Sequence, residues 1–392
     1  MISDKSEEQG ILRFRLEGVD VSVANALRKA LYWIDIVVID EPTITVNTTG
    51  FHNQILAHRI SGIPVHCKHL VPGALLTVDV ENDGTSPLMV TTEHFKVTCP
   101  EGEKNWFPPT TLHLPSHRIE SYLDLVSLKN APSKKKAGEA LAFQAGFKLA
   151  NTKESGMYNA VSTAAYTFTP DPEASERAWE ASDKKDRENW VLHESHRYYK
   201  PQSYDFTVES VGVHTNSELV VLACSVVQRE LKAALETASP QPCSALEHGV
   251  EVTLACDYMI GNLLGNHLQA DPAVTFSAFA KRHPHDTTGV IRLATTDDPL
   301  ERLRALVPTL DATFSKIKAS FIRENLPARF QRDLDEFLLL PEDQKRTRLQ
   351  ELNEAGTFKD LDSASLDRLD AFAYQYLHHL SLGIPKEKMV IE

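Results

Sequence analysis

Cysteine is scarce: the 392 residues contain five, Cys67, Cys99, Cys224, Cys243 and Cys256, and no two form a CxxC pair. Scattered and odd in number, they fit neither a disulfide framework nor a metal knuckle, and Cys224 and Cys256, set within apolar patterns, read as buried thiols. No apolar run is long enough to span a membrane. The opening MISDKSEEQG is acidic and polar without the apolar core of a signal peptide, so a soluble, intracellular protein is expected. Positive charge is also in deficit: the net charge of -13 excludes a protein that grips nucleic acid over its whole surface, leaving only a local basic contact open. No stretch matches a Walker loop, a dinucleotide glycine pattern, HExxH or a serine nucleophile elbow. Nor do Asp and Glu cluster as a magnesium-dependent polymerase or nuclease centre requires.

What is present is a soluble globular composition, 42% apolar and 24% charged, long enough for two or three domains. The most informative stretch is Leu12 to Leu31. Leu12, Phe14 and Leu16 alternate with Arg13, Arg15 and Glu17 as in a half-buried strand. Gly18 and Asp20 break the pattern, and Val23, Leu27, Ala30, Leu31 and Ile34 then recur at helical spacing, with Asp20 or Ser22 as the cap. A weaker copy follows: Val250, Val252 and Leu254 alternate, and Ile260, Leu263, Leu264 and Leu268 form a stripe. A shift of 237 positions superposes Asp20, Val23, Asn25, Leu27 and Leu31 on Asp257, Ile260, Asn262, Leu264 and Leu268. Duplication and the general likeness of strand-plus-helix units are both readings of this match.

Between the copies, Ile36 to Ile39 and Thr43 to Asn47 read as two strands around a turn. Residues 51 to 65 read as a short helix marked by Ile55, Leu56, Arg59 and Ile60 and ended near Gly62 and Pro64; His52 and His58 lie in it without a third ligand at metal spacing. From Cys67 to about Thr169 short strand-like pieces predict a mainly β insert. Lys134, Lys135 and Lys136 form a solvated loop or, less commonly for such runs, a phosphate contact. Asp171 to Lys200 is polar, with Trp179 and Trp190 as apolar anchors. Tyr204 to Gly212 returns to strand texture, and a helix from Asn216 carries Leu219, Val220, Ala223, Val226, Val227 and Leu231 on one face. ASPQPC, residues 238 to 243, reads as a linker. After the second copy come a strand from Thr275 to Ala280, a His283-Pro284-His285-Asp286 turn, a strand from Val290 to Ala294, and a long helix from Pro299. That helix buries Leu303, Leu306, Val307, Leu310, Phe314 and Ile317, and Pro308 either kinks it or divides it. The His-Pro-His-Asp turn has the ingredients of a small metal site, a combination that also arises by chance. The final part, 325 to 392, has amphipathic helical signals that suit packing on its own chain or on a partner.

These residues resemble a known family. RFRLEGVDVSVANALRKAL and ILAHRISGIPV, with YDFTVESVG and AVSTAAYTF, are similar to the α-like assembly subunit of DNA-directed RNA polymerases, the third-largest subunit in the eukaryotic enzyme. VEVTLACDYMIGNLLGNHL, DPAVTFSAFAKRHPH and PLERLRALVPTLDATFSKIKASF resemble its smaller eleventh-subunit partner. Asn53 and Gln54 depart from an acidic pair, Ser61 and Gly62 from Gly-Leu, and Tyr258 and Met259 from Thr-Leu, which leaves Asp257 as the expected cap of the second helix.

The resemblance implies an α+β fold: two dimerisation modules in one chain, a mainly β inserted domain and a helical C-terminal tail. The expected domains are 1–66 with 200–237, the insert 67–199, a linker 238–245, the second module 246–324 and the tail 325–392. It implies a non-catalytic assembly platform on which the two largest polymerase subunits meet, with tenth- and twelfth-like small subunits as further partners and no sequence-specific DNA contact. Val23, Leu27, Leu31, Leu219, Val226, Ile260, Leu264, Leu268, Leu303, Leu310 and Phe314 are expected in the intramolecular interface, and Asn25, Arg28, His58 and Arg59 at partner subunits. No cofactor and no zinc are expected in this chain, the catalytic magnesium belonging to a large subunit. Such a fusion is like those of some large double-stranded DNA viruses, which implies host cytoplasm or nucleus and packaging in the virion. A free-standing protein-binding scaffold of the same architecture is the alternative.

Overall fold

The computed structural model describes residues 1–67, 70, 72–98, 114, 115, 120–131, 137–183, 186–243, 246 and 248–323. The expected tail, the lysine run at 134–136 and Cys99 lie outside them.

The chain opens with strands β1 (Ile2–Glu8) and β2 (Ile11–Glu17) and helix α1 (Val21–Tyr32). In β2 the alternation predicted from sequence sets Leu12, Phe14 and Leu16 inward and almost wholly buried. Gly18 adopts φ +75°, a left-handed turn open to glycine at little cost, while its N–H bonds to Gln202 O. Asp20 then caps α1, its carboxylate accepting the Ser22 N–H at 2.8 Å. There follow β3 (Ile36–Ile39), β4 (Thr43–Asn47), α2 (Asn53–Ser61), β5 (Leu75–Glu81), β6 (Leu88–Thr91), β7 (Lys96–Thr98), the short β8 (Leu114–Pro115) and β9 (Glu120–Ser121), β10 (Asp124–Leu128), β11 (Ala140–Ala145), β12 (Phe147–Ala150) and β13 (Val161–Pro170). After α3 (Pro172–Glu180) and a short helical run, α4 (Arg187–Asn189), come β14 (Tyr199–Ser210) and the long α5 (Asn216–Glu236). The last section is β15 (Ser239–Pro242), β16 (Gly249–Leu254), α6 (Tyr258–Gln269), β17 (Val274–Ala280), β18 (Gly289–Thr295) and α7 (Pro299–Arg323).

Two four-stranded antiparallel sheets frame the helices, in the orders β1-β2-β14-β13 and β15-β16-β18-β17. A third, β4-β11-β5-β7, belongs to a separate β-rich body with the pairs β3-β12 and β6-β10. Two apolar cores result. One gathers the inner faces of the first two sheets and the helices α1, α5, α6 and α7; the other gathers Leu76, Val78, Val90, Leu125, Leu128, Leu141 and Phe143.

Three local expectations are corrected, and the divided helix is ruled out at Pro308. Ile36–Ile39 and Thr43–Asn47 do not pair with each other: β3 pairs with β12 and β4 with β11, and β3 stands between the two cores, with Ile36 and Val38 in the first and Val37 and Ile39, like Leu56, Ile60 and Val65, in the second. Conversely, β13, expected at the end of the insert, pairs with β14 in the first sheet. The supposed linker is strand β15, whose Pro240 and Pro242 suit a sheet edge because they lack the N–H a central strand must donate. Finally, Pro308 sits inside one continuous α7.

Candidate functional site

Four helices meet between the two framing sheets: α1 lies against α5 and α6, and α7 lies against α5 and α6. Helix α5 occupies the middle. Its Thr215 cap forms a reciprocal box with Glu218, the Glu218 N–H donating to the Thr215 hydroxyl at 3.3 Å and the Thr215 N–H to the Glu218 carboxylate at 3.1 Å. Every residue from Glu218 to Cys224 is buried, so the first half of α5 is covered on nearly all sides, whereas Lys232, Ala233 and Glu236 leave its second half open on one side. The Cys224 thiol, fully enclosed, is pushed up to about 12 because burial penalises the thiolate. Cys256 is likewise raised to about 12 by burial.

The structure places the residues singled out from sequence as follows. Val23, Leu27 and Leu31 of α1, Leu219 and Val226 of α5, Ile260, Leu264 and Leu268 of α6, and Leu303, Leu310 and Phe314 of α7 are all buried and share one core. Ala24, Ala26 and Ala30 keep α1 slim on its buried side. Helix α6 is kept slim by Gly261: a Cβ there would stand 2.3 Å from the Phe279 ring of β17, and the same ring lies 2.2 Å from where Gly289 of β18 would carry one. Phe279 is thus wedged between two glycines, which sets how closely α6 approaches its sheet.

Polar contacts tie the halves across the apolar layer. The Lys318 ammonium of α7, on a residue only 4% exposed, donates to the Ser225 hydroxyl of α5 at 2.7 Å. The Gln228 amide of α5 donates to Ser315 Oγ at 2.9 Å and to Asp311 O at 3.2 Å. The Ala255 N–H, just before α6, donates to the Thr237 hydroxyl at the end of α5. Phe321, near the end of α7, meets Phe14 edge-on in the first sheet, where Phe14 stacks on Phe206 at 5.0 Å. A helix of the second section therefore closes the core of the first.

Asp257 occupies the N-cap position of α6, as expected, but its side chain makes no capping bond. Its carboxylate faces Lys281 at 3.1 Å and Lys29 of α1 at 3.9 Å, so the residue bridges the two copies of the strand-and-helix unit. Burial alone would raise its pKa, yet neighbouring donors and the two ammonium groups hold it below the ordinary value. Asp20 is also held low: burial opposes, and the Ser22 hydroxyl and N–H with the more distant His267 prevail.

Asn25 and Arg28 are half-buried and bond to each other, Arg28 Nη2 donating to Asn25 Oδ1 at 2.9 Å. His58 and Arg59 are exposed on α2, away from the helical layer. Arg59 lies over the Phe51 ring and donates to Asp124 O at 3.2 Å. Ile55 is half exposed beside them, while Leu56, Ile60 and Ser61 turn inward. His52 accepts the Gln54 N–H as the cap of α2. In the His283 turn the Asp286 carboxylate accepts the His283 N–H at 2.9 Å, and among the described residues no three His, Cys, Asp or Glu side chains are grouped to hold a metal.

Sequence reasoning missed Gln228, Lys318 and Phe279. A lysine or glutamine on an amphipathic helix reads as solvent-facing, and nothing local reveals that a second helix covers it. Among the described residues no helix is long and apolar enough to cross a membrane. Residues 13–231 match the family model of the RNA polymerase Rpb3/Rpb11 dimerisation domain. No curated protein matches the chain.

Proposed function

Because the chain belongs to the RNA polymerase Rpb3/Rpb11 dimerisation-domain family, we propose that it is an assembly platform in which third-subunit-like and eleventh-subunit-like modules pair within one polypeptide. Membership itself ties the chain to multisubunit RNA polymerase assembly, to other polymerase subunits as partners, and to a non-catalytic role. The observation that carries the finer reading is the single core formed by α1, α5, α6 and α7 between two like sheets, each of which is followed by a helix that enters it. Covalent linkage replaces an encounter between two chains by an intramolecular one and raises the effective concentration without new contacts.

In this reading the four-helix layer is the interior of the platform, and the surfaces left outside it receive the two largest subunits and small subunits of tenth and twelfth type. Arg28 with Asn25 on α1, and His58 with Arg59 on α2, are the polar groups offered to them; the Phe51 ring and Ile55 add an apolar footing beside Arg59. The setting suggested by the fusion is a large double-stranded DNA virus, with work in host cytoplasm or nucleus and packaging in the virion.

Native purification of the full chain from its source, followed by identification of what accompanies it, tests the proposal. Both largest polymerase subunits are expected in stoichiometric amounts, and Leu27→Asp, which forces a charge into the buried layer, is expected to lose them together with soluble yield. Recovery alone, or with unrelated proteins only, overturns it, the second outcome favouring a scaffold outside the polymerase.

A further inference from the structure

The two framing sheets have four edges, and three are guarded. Strand β1 carries Asp4, Lys5, Glu7 and Glu8, and its pairing is broken between Ser3 and Ser6. Strand β15 presents Pro240 and Pro242. On β17 the Ser277 N–H is taken by the Gln269 side chain of α6 at 2.7 Å. Charges, bulges, prolines and covering groups are the usual means of keeping an edge from pairing with another chain.

The fourth edge, β13, has none of these over its middle. VSTAAYTFTP contains no charged residue, and its register with β14 runs unbroken from Thr163 to Phe168. Tyr32 Oη donates to Ala164 O, and from Ala165 to Thr169 no main-chain group bonds to any element other than β14 among the described residues. The side chains beside this stretch are apolar and partly uncovered: Phe168 is 41% and Tyr199 46% exposed, their rings 4.5 Å apart. Beyond Pro170 carboxylates predominate on α3, where Glu176 is paired with Arg187 and Glu173 and Glu180 stand beside a single base, Arg177.

We propose that the outer edge of β13, from Ala165 to Phe168, is a strand-addition site for an extended segment of another polypeptide, apolar where it crosses Phe168 and Tyr199 and basic where it passes α3. Main-chain pairing supplies the affinity, and the aromatic pair and the carboxylates supply the selection. The site lies on the sheet, outside the helical layer, so it stands whether or not the chain works in a polymerase.

The test uses the full chain and a labelled peptide of about ten alternating valines and lysines, with a twin N-methylated along one edge. The expected result is binding of the first peptide roughly tenfold tighter than its twin, with slowed amide exchange within residues 165–168. Phe168→Lys is expected to weaken it by roughly tenfold, and Phe168→Tyr to restore it. Equal binding of the two peptides, or no change in exchange within 165–168, overturns the proposal. So does protection of the edge in the dilute free monomer, which would assign it to this chain's own tail, or a dimer abolished by Phe168→Lys, which would assign it to a second copy.

Discussion

Gly261→Ala should weaken the fold, although helix propensity by itself predicts the opposite. At an open position in a helix interior, alanine is favoured over glycine by about 1 kcal/mol. Here the new Cβ would stand 2.3 Å from the Phe279 ring, more than 1 Å inside ordinary carbon contact. The ring already fills the space a Cβ on Gly289 would take, 2.2 Å away, so a shift toward β18 meets the Gly289 backbone. Overpacking of this kind costs about 1–3 kcal/mol, and blocked retreat places the cost near the upper figure. The expected net loss is about 2 kcal/mol, read as a lowered urea midpoint with an unchanged slope. Phe279→Leu trims the obstructing ring and costs stability alone, but in that background Gly261→Ala should turn stabilising, a coupling of about 3 kcal/mol between the two positions. A stabilised single variant, or two changes that simply add, would refute the wedge and with it the account of how α6 is seated.

Two other measurements follow from the same layer. Asp20 and Asp257 have folded pKa values below the ordinary 3.8, so each contributes stability that is complete above that value and is lost as pH falls through it toward the folded pKa; unfolding free energy should drop below about pH 4, and the slope should be shallower in Asp20→Asn and Asp257→Asn. Equal slopes in wild type and variants would contradict the stabilised carboxylates. Cys224 and Cys256, both raised to about 12 by burial, should resist a thiol reagent at neutral pH and react only as the protein unfolds; rapid labelling of either thiol in the native state would show that the helical layer is open.

Helices and inward strand faces were legible in the sequence because their signals are local. Leu12, Phe14 and Leu16 alternate, and Val23, Leu27 and Leu31 recur at helical spacing, since one side of each element must leave water whatever it packs on. Strand β1 gave no such signal: ISDKSEE lies at an exposed edge, where nothing apolar is demanded on alternate residues. Strand β15 was masked by its own prolines, which read as a linker until β16 is seen beside it. Strand β13 was visible as a strand and assigned to the wrong body, because pairing with β14 rather than β11 or β12 joins residues about 40 positions apart and leaves no trace in either segment.

The sequence by itself determined the elements that carry an apolar face, which residues form that face, and the family to which the chain belongs. Tertiary structure alone decided what meets those faces. It enclosed the first half of α5, buried Lys318 against Ser225, carried Phe321 across to Phe14, and seated Phe279 against Gly261 and Gly289. The reason is physical: periodicity records that a side chain must be buried, whereas its partner is selected by shape and by hydrogen bonds between segments distant in the chain.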